Sequence, residues 1–480
     1  MKILWMSVPP WAKTAYGLQS VQVVNMLLDA GHDVDYFAFQ NHCHSVLPIA
    51  LGKHRINVYP RAMNGDPWGR DILRDHVRQS GAQLVVSLID TWMCPGRRGD
   101  GPAPDEDPRQ RRGQPLGSWA DCGVPWLPWV PVDHDPVRPP VVASLMTSSG
   151  EKLPLVLAMC EYGRAQLAGA GFSTLTIPHG LDPEVFQPGD MAEARAKLEL
   201  DPGAFCVLIL ASNTNRKAWW EQLSAFAEFR KRHEDTQLYM HTDPVRVGGE
   251  PLIHYVHQLG LAGAVTAAST YVMEIGGYGT GFCAELYRAA NVTMLCSYGE
   301  GFGIPLIESQ ACGTPVVYGD YTSMPELVEC GWPVRHASRK PVERIAGLMY
   351  VPDVAGIVAA LEQSYEAWRA GGEEFARKRA AASEAIRARY AWSALAPLWE
   401  DALRQAEQAW APWYLRKLQA EVEAAGGRIE ISEGRPVAVR ERLAEAAALA
   451  GEPAPAAAAG APPSGMDELL RRVEEGGEVR

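Results

Sequence analysis

Residues 297–315 of the chain read SYGEGFGIPLIESQACGTP, and the other predictions follow from this segment. It follows a short apolar run, residues 292–296, which predicts a buried strand. The loop after this strand carries Gly301 and Gly303, where the backbone is free to approach a ligand closely. Pro305 suits the first turn of a helix. The order strand, glycine-rich loop, helix therefore predicts a diphosphate site at a helix N-terminus.

Two carboxylates, Glu300 and Glu308, flank this predicted helix start. Glu300 falls in the loop, and Glu308 falls about one turn into the helix. Carboxylates accept hydrogen bonds from sugar and ribose hydroxyls, so the pair is suited to hold the two ends of a nucleotide sugar. The alternative is an ordinary glycine-rich turn with two solvated glutamates.

Outward from this stretch, apolar runs alternate with helical segments in both halves of the chain. A helix is predicted near residues 19–30, and the second half places helices at 219–232, 281–290 and 305–312. The predicted strands are 2–8, 83–89, 126–132, 155–159, 175–177, 205–211, 237–241, 292–296 and 315–318. Two successive alternations predict an α/β protein with two Rossmann-like, doubly wound domains that face a central cleft.

Turn signals and composition divide the chain. The first domain is predicted to span residues 1–185, the second 186–390, and a crossover helix 391–409. Residues 410–480 form an extension with an Ala/Pro-rich linker at 451–464, and residues 427–439 resemble a hairpin. Residues 97–117, rich in Arg, Pro, Gly and Asp, are predicted to form a surface loop.

The net charge argues against a general attraction to polyanions, although a local basic patch stays possible. The 480 residues include 45 Lys and Arg against 57 Asp and Glu, a net charge of -12 that gives no general attraction to nucleic acid or to an anionic membrane. Nine cysteines without a CxxC pair favour a reducing, cytoplasmic setting, and a peripheral place at a membrane stays open. No apolar run reaches the ~20 residues of a membrane span, and the N-terminal run suits a first strand better than a signal peptide.

The run 297–315 resembles the glutamate-seven-glutamate signature of the retaining GT-B glycosyltransferases, specifically the GT4-like family. Residues 212–217, SNTNRK, resemble the family's Arg/Lys segment. The resemblance implies that Arg216 and Lys217 meet the donor diphosphate and that Glu300 touches the transferred sugar. The sequence departs from the family pattern at Ala218, where the family frequently has a glycine. The resemblance also implies a set of donor-binding residues: Asn213, Gly301, Phe302, Gly303, Ile304 and Glu308.

Two features of the first half fit the same family. Gly17 is predicted to lie in the first strand-to-helix loop, where a glycine lets the backbone approach the donor; a plain turn glycine is the alternative. Residues 130–136, VPVDHDP, resemble the strand end that faces the donor sugar, and this makes His134 a candidate at the reacting centre. A hydrogen-bonded loop histidine is the alternative for His134.

Other clusters are interpreted as structural. Asp133 and Asp135 form a DxD pattern, the metal motif of a different glycosyltransferase fold, and we do not assign a metal to them. His42, Cys43 and His44 have no partner pair at a recognisable metal spacing, and His254 and His257 stand three apart on a possible helix. The arginines within residues 97–112 are interspersed with acids, which favours a solvated loop over an anion site.

The resemblance implies a retaining glycosyltransferase that uses a nucleoside-diphosphate sugar as co-substrate, without a divalent metal or other cofactor. The acceptor stays open among lipid, glycan, protein, small molecule and nucleic acid. Two alternatives remain: another enzyme of this fold, such as a sugar-nucleotide epimerase or a phosphorylase, and a non-catalytic protein that binds nucleotides or carbohydrates.

Overall fold

The computed structural model of the chain describes residues 1–41, 43, 45–63, 65–91, 118–147, 150–342, 347–424, 430–432 and 435–437, with backbone alone from residue 413 onward. The predicted surface loop at 97–117 with its arginines, the linker at 451–464, and His42 and His44 lie outside the described residues.

The first half of the chain forms an eight-stranded sheet with the order β3-β4-β2-β1-β5-β6-β7-β8. Neighbouring strands are parallel except for the antiparallel pair β3–β4. Its elements are β1 (Lys2–Ser7), α1 (Ala15–Asp29), β2 (Asp33–Ala38), β3 (Leu47–Leu51), β4 (His54–Pro60), α2 (Leu73–Ser80), β5 (Leu84–Leu88), β6 (Trp126–Val130), α3 (Pro139–Ser144), β7 (Val156–Ala158), α4 (Glu161–Gly169) and β8 (Thr174–Thr176).

The second half forms a six-stranded, fully parallel sheet with the order β11-β10-β9-β12-β13-β14. The predicted α/β class with two doubly wound sheets is confirmed. Its elements are α5 (Met191–Lys197), β9 (Phe205–Leu210), α6 (Trp219–Arg230), β10 (Thr236–His241), α7 (Leu252–Gln258), β11 (Val265–Ala267), α8 (Thr270–Glu274), α9 (Thr280–Ala289), β12 (Val292–Leu295), α10 (Ile304–Ala311), β13 (Val316–Gly319) and β14 (Gly331–Val334).

An antiparallel hairpin, absent from the sequence prediction, follows the second sheet. It consists of β15 (His336–Val342) and β16 (Gly347–Pro352). Its second strand contacts both halves of the chain: Leu348 forms a backbone bridge with Asp135, and Tyr350 N–H donates to the carbonyl oxygen of Tyr298 at 2.9 Å. The hairpin therefore lies across the boundary between the two domains.

The C-terminal part is helical. Its elements are α11 (Val354–Ala370), α12 (Glu373–Tyr390), α13 (Trp392–Ala424), β17 (Glu430–Ser432) and β18 (Arg435–Val437). α11 and α12 are separate helices, because Gly371 and Gly372 between them both take positive φ angles, 58° and 104°, which a helix does not tolerate. The last pair of strands matches the predicted hairpin.

The long helix α13 returns to the first domain. The buried Trp399 ring lies 5.7 Å from the ring of Trp5 and 5.1 Å from that of Trp129, centroid to centroid. Such a cluster of large aromatic side chains contributes several kcal/mol of burial. This contact fixes the C-terminal helix against β1 and β6.

Candidate functional site

The site lies where the strand order of the second sheet reverses. β9 has β10 on one side and β12 on the other, so the loops after β9 and β12 separate and leave a crevice at their carboxyl ends. Arg216 and Lys217 follow β9, and Glu300 follows β12. The three predicted residues therefore reach the same crevice from loops 83 and 84 positions apart along the chain.

Glu300 holds both cations. Lys217 Nζ donates to Glu300 Oε1 at 2.5 Å, and Arg216 Nη1 donates to Glu300 Oε2 at 2.8 Å. Arg216 also donates to the carbonyl oxygen of Gly299. The Glu300 residue is only 5% exposed and Lys217 only 9%. The structure thus joins the three residues in one buried ion cluster, where the low local dielectric strengthens each charge pair.

Ala218, where the resembled family frequently has a glycine, has a backbone conformation that favours glycine. This residue takes φ 48° and ψ 44°, the left-handed region, and begins α6. An alanine there carries a steric cost of roughly 1 kcal/mol that a glycine avoids. Its Cβ is buried with Tyr298 and Met349, which offsets part of that cost. The loop therefore keeps the conformation that a glycine would favour.

The first domain contributes Asp133 and His134 from the loop after β6. His134 Nδ1–H donates to Asp133 Oδ1 at 2.5 Å, and Arg138 Nη2 donates to the same oxygen at 3.0 Å. The other carboxylate oxygen of Asp133 lies 3.4 Å from Nε of Arg216. Asp133 therefore links His134 of the first domain to Arg216 of the second.

Charge interactions set the protonation of this cluster. Burial would raise the pKa of Glu300, but the charges of Arg216 and Lys217 outweigh it and hold that pKa at about 2. Burial would likewise raise the pKa of Asp133, but its hydrogen bond with His134 and the charge of Arg216 bring it well below the usual range. Burial lowers the pKa of His134. The carboxylates are therefore ionised at neutral pH, and the imidazole is neutral.

The Nε2 atom of His134 is then a hydrogen-bond acceptor, because Nδ1 carries the proton that Asp133 accepts. This atom is buried and has no hydrogen-bond partner among the residues that the structure describes. A buried acceptor of this kind suits a hydroxyl group of a substrate.

Glu308 lies in α10, one turn from the helix start, as predicted. Tyr287 Oη of α9 donates to its Oε2 at 2.8 Å. Burial raises the pKa of Glu308 to about 7. The carboxyl group is half-buried and titrates near neutrality, so its charge depends on what binds beside it.

The other predicted donor-binding residues of the second domain have identifiable structural roles. Asn213 donates to the carbonyl oxygens of Asp243 and Glu250 at 3.1 and 3.0 Å, which fixes the loop after β10. The buried ring of Phe302 packs edge-on against His179, with 5.2 Å between ring centroids. Gly301 lies against the first domain, since a Cβ there would stand 2.7 Å from Pro131 Cβ. Gly303 and Ile304 form the N-terminal boundary of α10.

Gly17 lies elsewhere than predicted. The helix α1 begins at Ala15, so Gly17 is in its first turn and not in the preceding loop. The Gly17 N–H donates to the Thr14 side chain, and an added Cβ would stand 2.1 Å from the carbonyl oxygen of Ala12. The sequence prediction misplaced the helix start because residues 8–16 carry no apolar periodicity, whereas the Thr14 cap sets the boundary.

Sequence reasoning missed two cleft residues of the first domain. Tyr16 Oη donates to Asp90 Oδ1 at 3.0 Å, and Asp90 lies in the loop that follows β5. Burial, followed by the charge of Asp133, raises the pKa of Asp90. The available signal was an acidic residue at the carboxyl end of a buried strand.

The hairpin also covers His134. An added Cβ on Gly347 would stand 2.8 Å from Cδ2 of the His134 ring. Asp135 exchanges backbone hydrogen bonds with Leu348, and its side chain accepts from Tyr350 Oη at 3.3 Å. The two aspartates therefore have different partners: Asp133 contacts His134, Arg138 and Arg216, whereas Asp135 bonds to the hairpin.

Across the described ranges, no group of three or more His, Cys, Asp or Glu side chains is placed to hold a metal ion. His254 and His257 are both exposed on α7. Within the same ranges, no helix has the length and apolar character that a bilayer crossing requires.

Comparisons with known proteins agree with this architecture. Residues 190–332 match the family model described as Glycosyl transferases group 1. A D-inositol 3-phosphate glycosyltransferase from Segniliparus rotundus is 30% identical over 197 residues, which are 41% of this chain and 41% of that relative. The chain thus spans less than half the length of the curated relatives it matches.

Two solved structures share the fold. A sucrose-phosphate synthase from Thermosynechococcus elongatus superposes with a TM-score of 0.61 at 20% identity, over 85% of this chain and 99% of that one. The Anabaena protein HepE, in complex with UDP-glucose, superposes with a TM-score of 0.59 at 14% identity, over 84% and 100%. The two sheets, the crevice at their carboxyl ends and the match over residues 190–332 lead to one conclusion: this part of the chain is similar to the group 1 glycosyl transferases, and the chain has a GT-B fold.

Proposed function

We propose that the protein transfers a sugar from a nucleoside-diphosphate sugar to an acceptor, with retention of the anomeric configuration and without a divalent metal. The observation that carries this proposal is the convergence of Arg216, Lys217 and Glu300 in one crevice, with Asp133 and His134 facing them from the other domain. The family match supports it.

The chemistry follows from where charge develops. When the sugar leaves its diphosphate, negative charge grows on the bridging oxygen, and a preorganised cation pair stabilises that charge. Arg216 supplies a forked donor and Lys217 a point charge. In the retaining reaction, the acceptor hydroxyl attacks on the face from which the diphosphate leaves, and a phosphate oxygen takes its proton. Catalysis then depends on positioning more than on covalent chemistry.

The first-domain residues suit the sugar and acceptor. The free Nε2 of His134 is an acceptor for a sugar hydroxyl, and Asp90 beside Tyr16 offers a further carboxylate within the same crevice. The donor to test first is a UDP-sugar, because the similar structure of HepE was solved with UDP-glucose. D-Inositol 3-phosphate is one acceptor to include, because it appears in the names of the sequence relatives. The nine cysteines, none of them in a CxxC pair, favour a reducing, cytoplasmic location.

The test is a screen of nucleotide sugars for hydrolysis and transfer, read by mass spectrometry, with Lys217→Ala as the matched inactive variant. We expect one class of nucleotide sugar to release its nucleoside diphosphate at a rate that Lys217→Ala abolishes. An epimerase would instead return an altered nucleotide sugar or its epimer, and a phosphorylase would require inorganic phosphate. Binding without any hydrolysis or transfer would contradict an enzymatic role.

A further inference from the structure

The Glu300 carboxylate accepts a hydrogen bond from each of the two cations at once. Its two oxygens each accept from a different cation, at 2.5 Å from Lys217 Nζ and 2.8 Å from Arg216 Nη1. This is the arrangement by which two oxygens of a diphosphate would engage the same pair. Glu300 and a diphosphate are therefore alternative ligands of one donor set.

The charge balance of the cluster points the same way. Two cations, Arg216 and Lys217, hold the ionised Glu300 carboxylate, and the ionised Asp133 carboxylate lies between Arg216 and a third cation, Arg138. A diphosphate that entered while both carboxylates remained in place would leave a surplus of buried negative charge, which is costly at low dielectric. One carboxylate must release its cations. Glu300 contacts both Arg216 and Lys217. Asp133 contacts only Arg216 of these two cations, and it is also held by His134 and Arg138.

The Glu300 backbone is held independently of its side chain. The Glu300 N–H donates to Thr322 Oγ1 at 3.2 Å, and the Glu300 carbonyl oxygen accepts from Ser323 Oγ at 2.8 Å. The backbone is thus fixed on both sides of the residue. The displacement of the carboxylate from the cations would therefore be a change of side-chain rotamer and not a movement of the loop.

We propose that Glu300 competes with the donor's diphosphate for Arg216 and Lys217, so that donor binding displaces its carboxylate and makes it available to the sugar. The proposal rests on the proposed function only for the identity of the ligand as a diphosphate. It assigns Glu300 a second role as a positioning residue that lowers ground-state affinity for the diphosphate. Weaker ground-state binding leaves more of the interaction energy for the transition state.

The test is calorimetry with inorganic pyrophosphate and with UDP as probes, on the full chain. Removal of the competing charge in Glu300→Gln should tighten pyrophosphate binding about tenfold or more, the scale of one charge-assisted hydrogen bond, while sugar transfer falls. Glu300→Asp keeps the charge but is too short to reach both cations, so its affinity should lie between those of Glu300→Gln and the unaltered protein. Glu228→Gln, on the exposed face of α6, is the matched control and should bind as the unaltered protein does.

A thermal melt shows whether each variant folds, and a larger pyrophosphate-induced rise in Tm for Glu300→Gln gives a second readout of the same effect. Folded Glu300→Gln that binds pyrophosphate with equal or weaker affinity than the unaltered protein would overturn the competition. The two proposals fail separately. If no nucleotide sugar is ever cleaved but Glu300→Gln still tightens pyrophosphate binding, the proposed function is wrong and the competition stands.

Discussion

Gly299 of the second domain lies directly against Asp133 of the first: a Cβ added to Gly299 would stand 1.9 Å from the carbonyl oxygen of Asp133. No side chain fits between these two residues. The loop that carries Glu300 therefore touches the loop that carries His134. This contact places the ion cluster of the second domain within reach of Asp133, whose carboxylate lies 3.4 Å from Arg216 Nε.

Gly299→Ala should reduce sugar transfer by tenfold or more, because the methyl group forces apart the two loops that complete the site; a misplacement of about 1 Å costs on the order of 100-fold in rate. Steady-state turnover with the identified donor checks this. Gly169→Ala, in α4 where an added Cβ meets nothing within 4 Å, is the control and should leave turnover unchanged. Full activity of Gly299→Ala would mean that the domain contact does not matter for the reaction.

Arg216→Ala and Lys217→Ala should each lower turnover by a factor of ~100 or more, the scale seen when one preorganised donor is removed from a developing negative charge. Because the proposed reaction uses these cations in place of a metal, a chelator such as EDTA should have little effect. Transfer rates with and without EDTA measure both points. If EDTA abolishes transfer, manganese restores it and Lys217→Ala stays active, the site has been misassigned and Asp133 and Asp135 become metal candidates.

Glu308→Ala should weaken nucleoside-diphosphate binding by about 1.5–3 kcal/mol, the cost of one lost charge-assisted hydrogen bond. Because burial raises the pKa of Glu308 to about 7, its charged form increases between about pH 6 and about pH 8, and affinity should rise several-fold over this range. Calorimetry at both pH values tests this. Glu308→Gln removes the titrating group, so an equal pH dependence in that variant would refute the assignment.

The same shift has a consequence for stability. The folded protein binds the Glu308 proton more tightly than the unfolded chain does, because the folded pKa of about 7 exceeds the ordinary carboxyl value. The contribution of this group to the free energy of unfolding is therefore present at low pH and is lost as the pH rises towards 7. A bound ligand that stabilises the carboxylate would reverse part of this loss.

Trp399→Ala should destabilise the protein by about 3–5 kcal/mol, because the fully buried indole packs against Trp5 and Trp129 and leaves a large cavity. The shift in the thermal or denaturant midpoint measures the effect. Leu398→Ala, one position earlier on the same helix and 43% exposed, should change the midpoint little. Equal shifts in both variants would indicate a loss of helix propensity and not of the aromatic contact.

Much of the architecture could be predicted from local pattern. The strands that form the two sheet centres, such as β5 and β12, are short and wholly buried, and each is apolar except for one small polar residue, Ser87 or Thr293. The two strands of the first-domain edge were missed because β3 contains Pro48, which argues against a strand, and because β4, HRINVYP, begins with polar residues. The hairpin of β15 and β16 was missed because it also lacks an apolar run at its start. Its first four residues, 336–339, are exposed and are polar or small.

Local sequence patterns are enough to find the residues of the proposed donor site, because residues 212–217 and 297–315 carry the cations, glycines and glutamates within two short segments. Only the folded structure shows how these residues are paired. It brings Glu300 onto Arg216 and Lys217, places Asp133 against Arg216, and sets Gly347 over His134. These contacts join residues 83 or more positions apart, and their geometry depends on strand order and on domain packing, which no local pattern encodes.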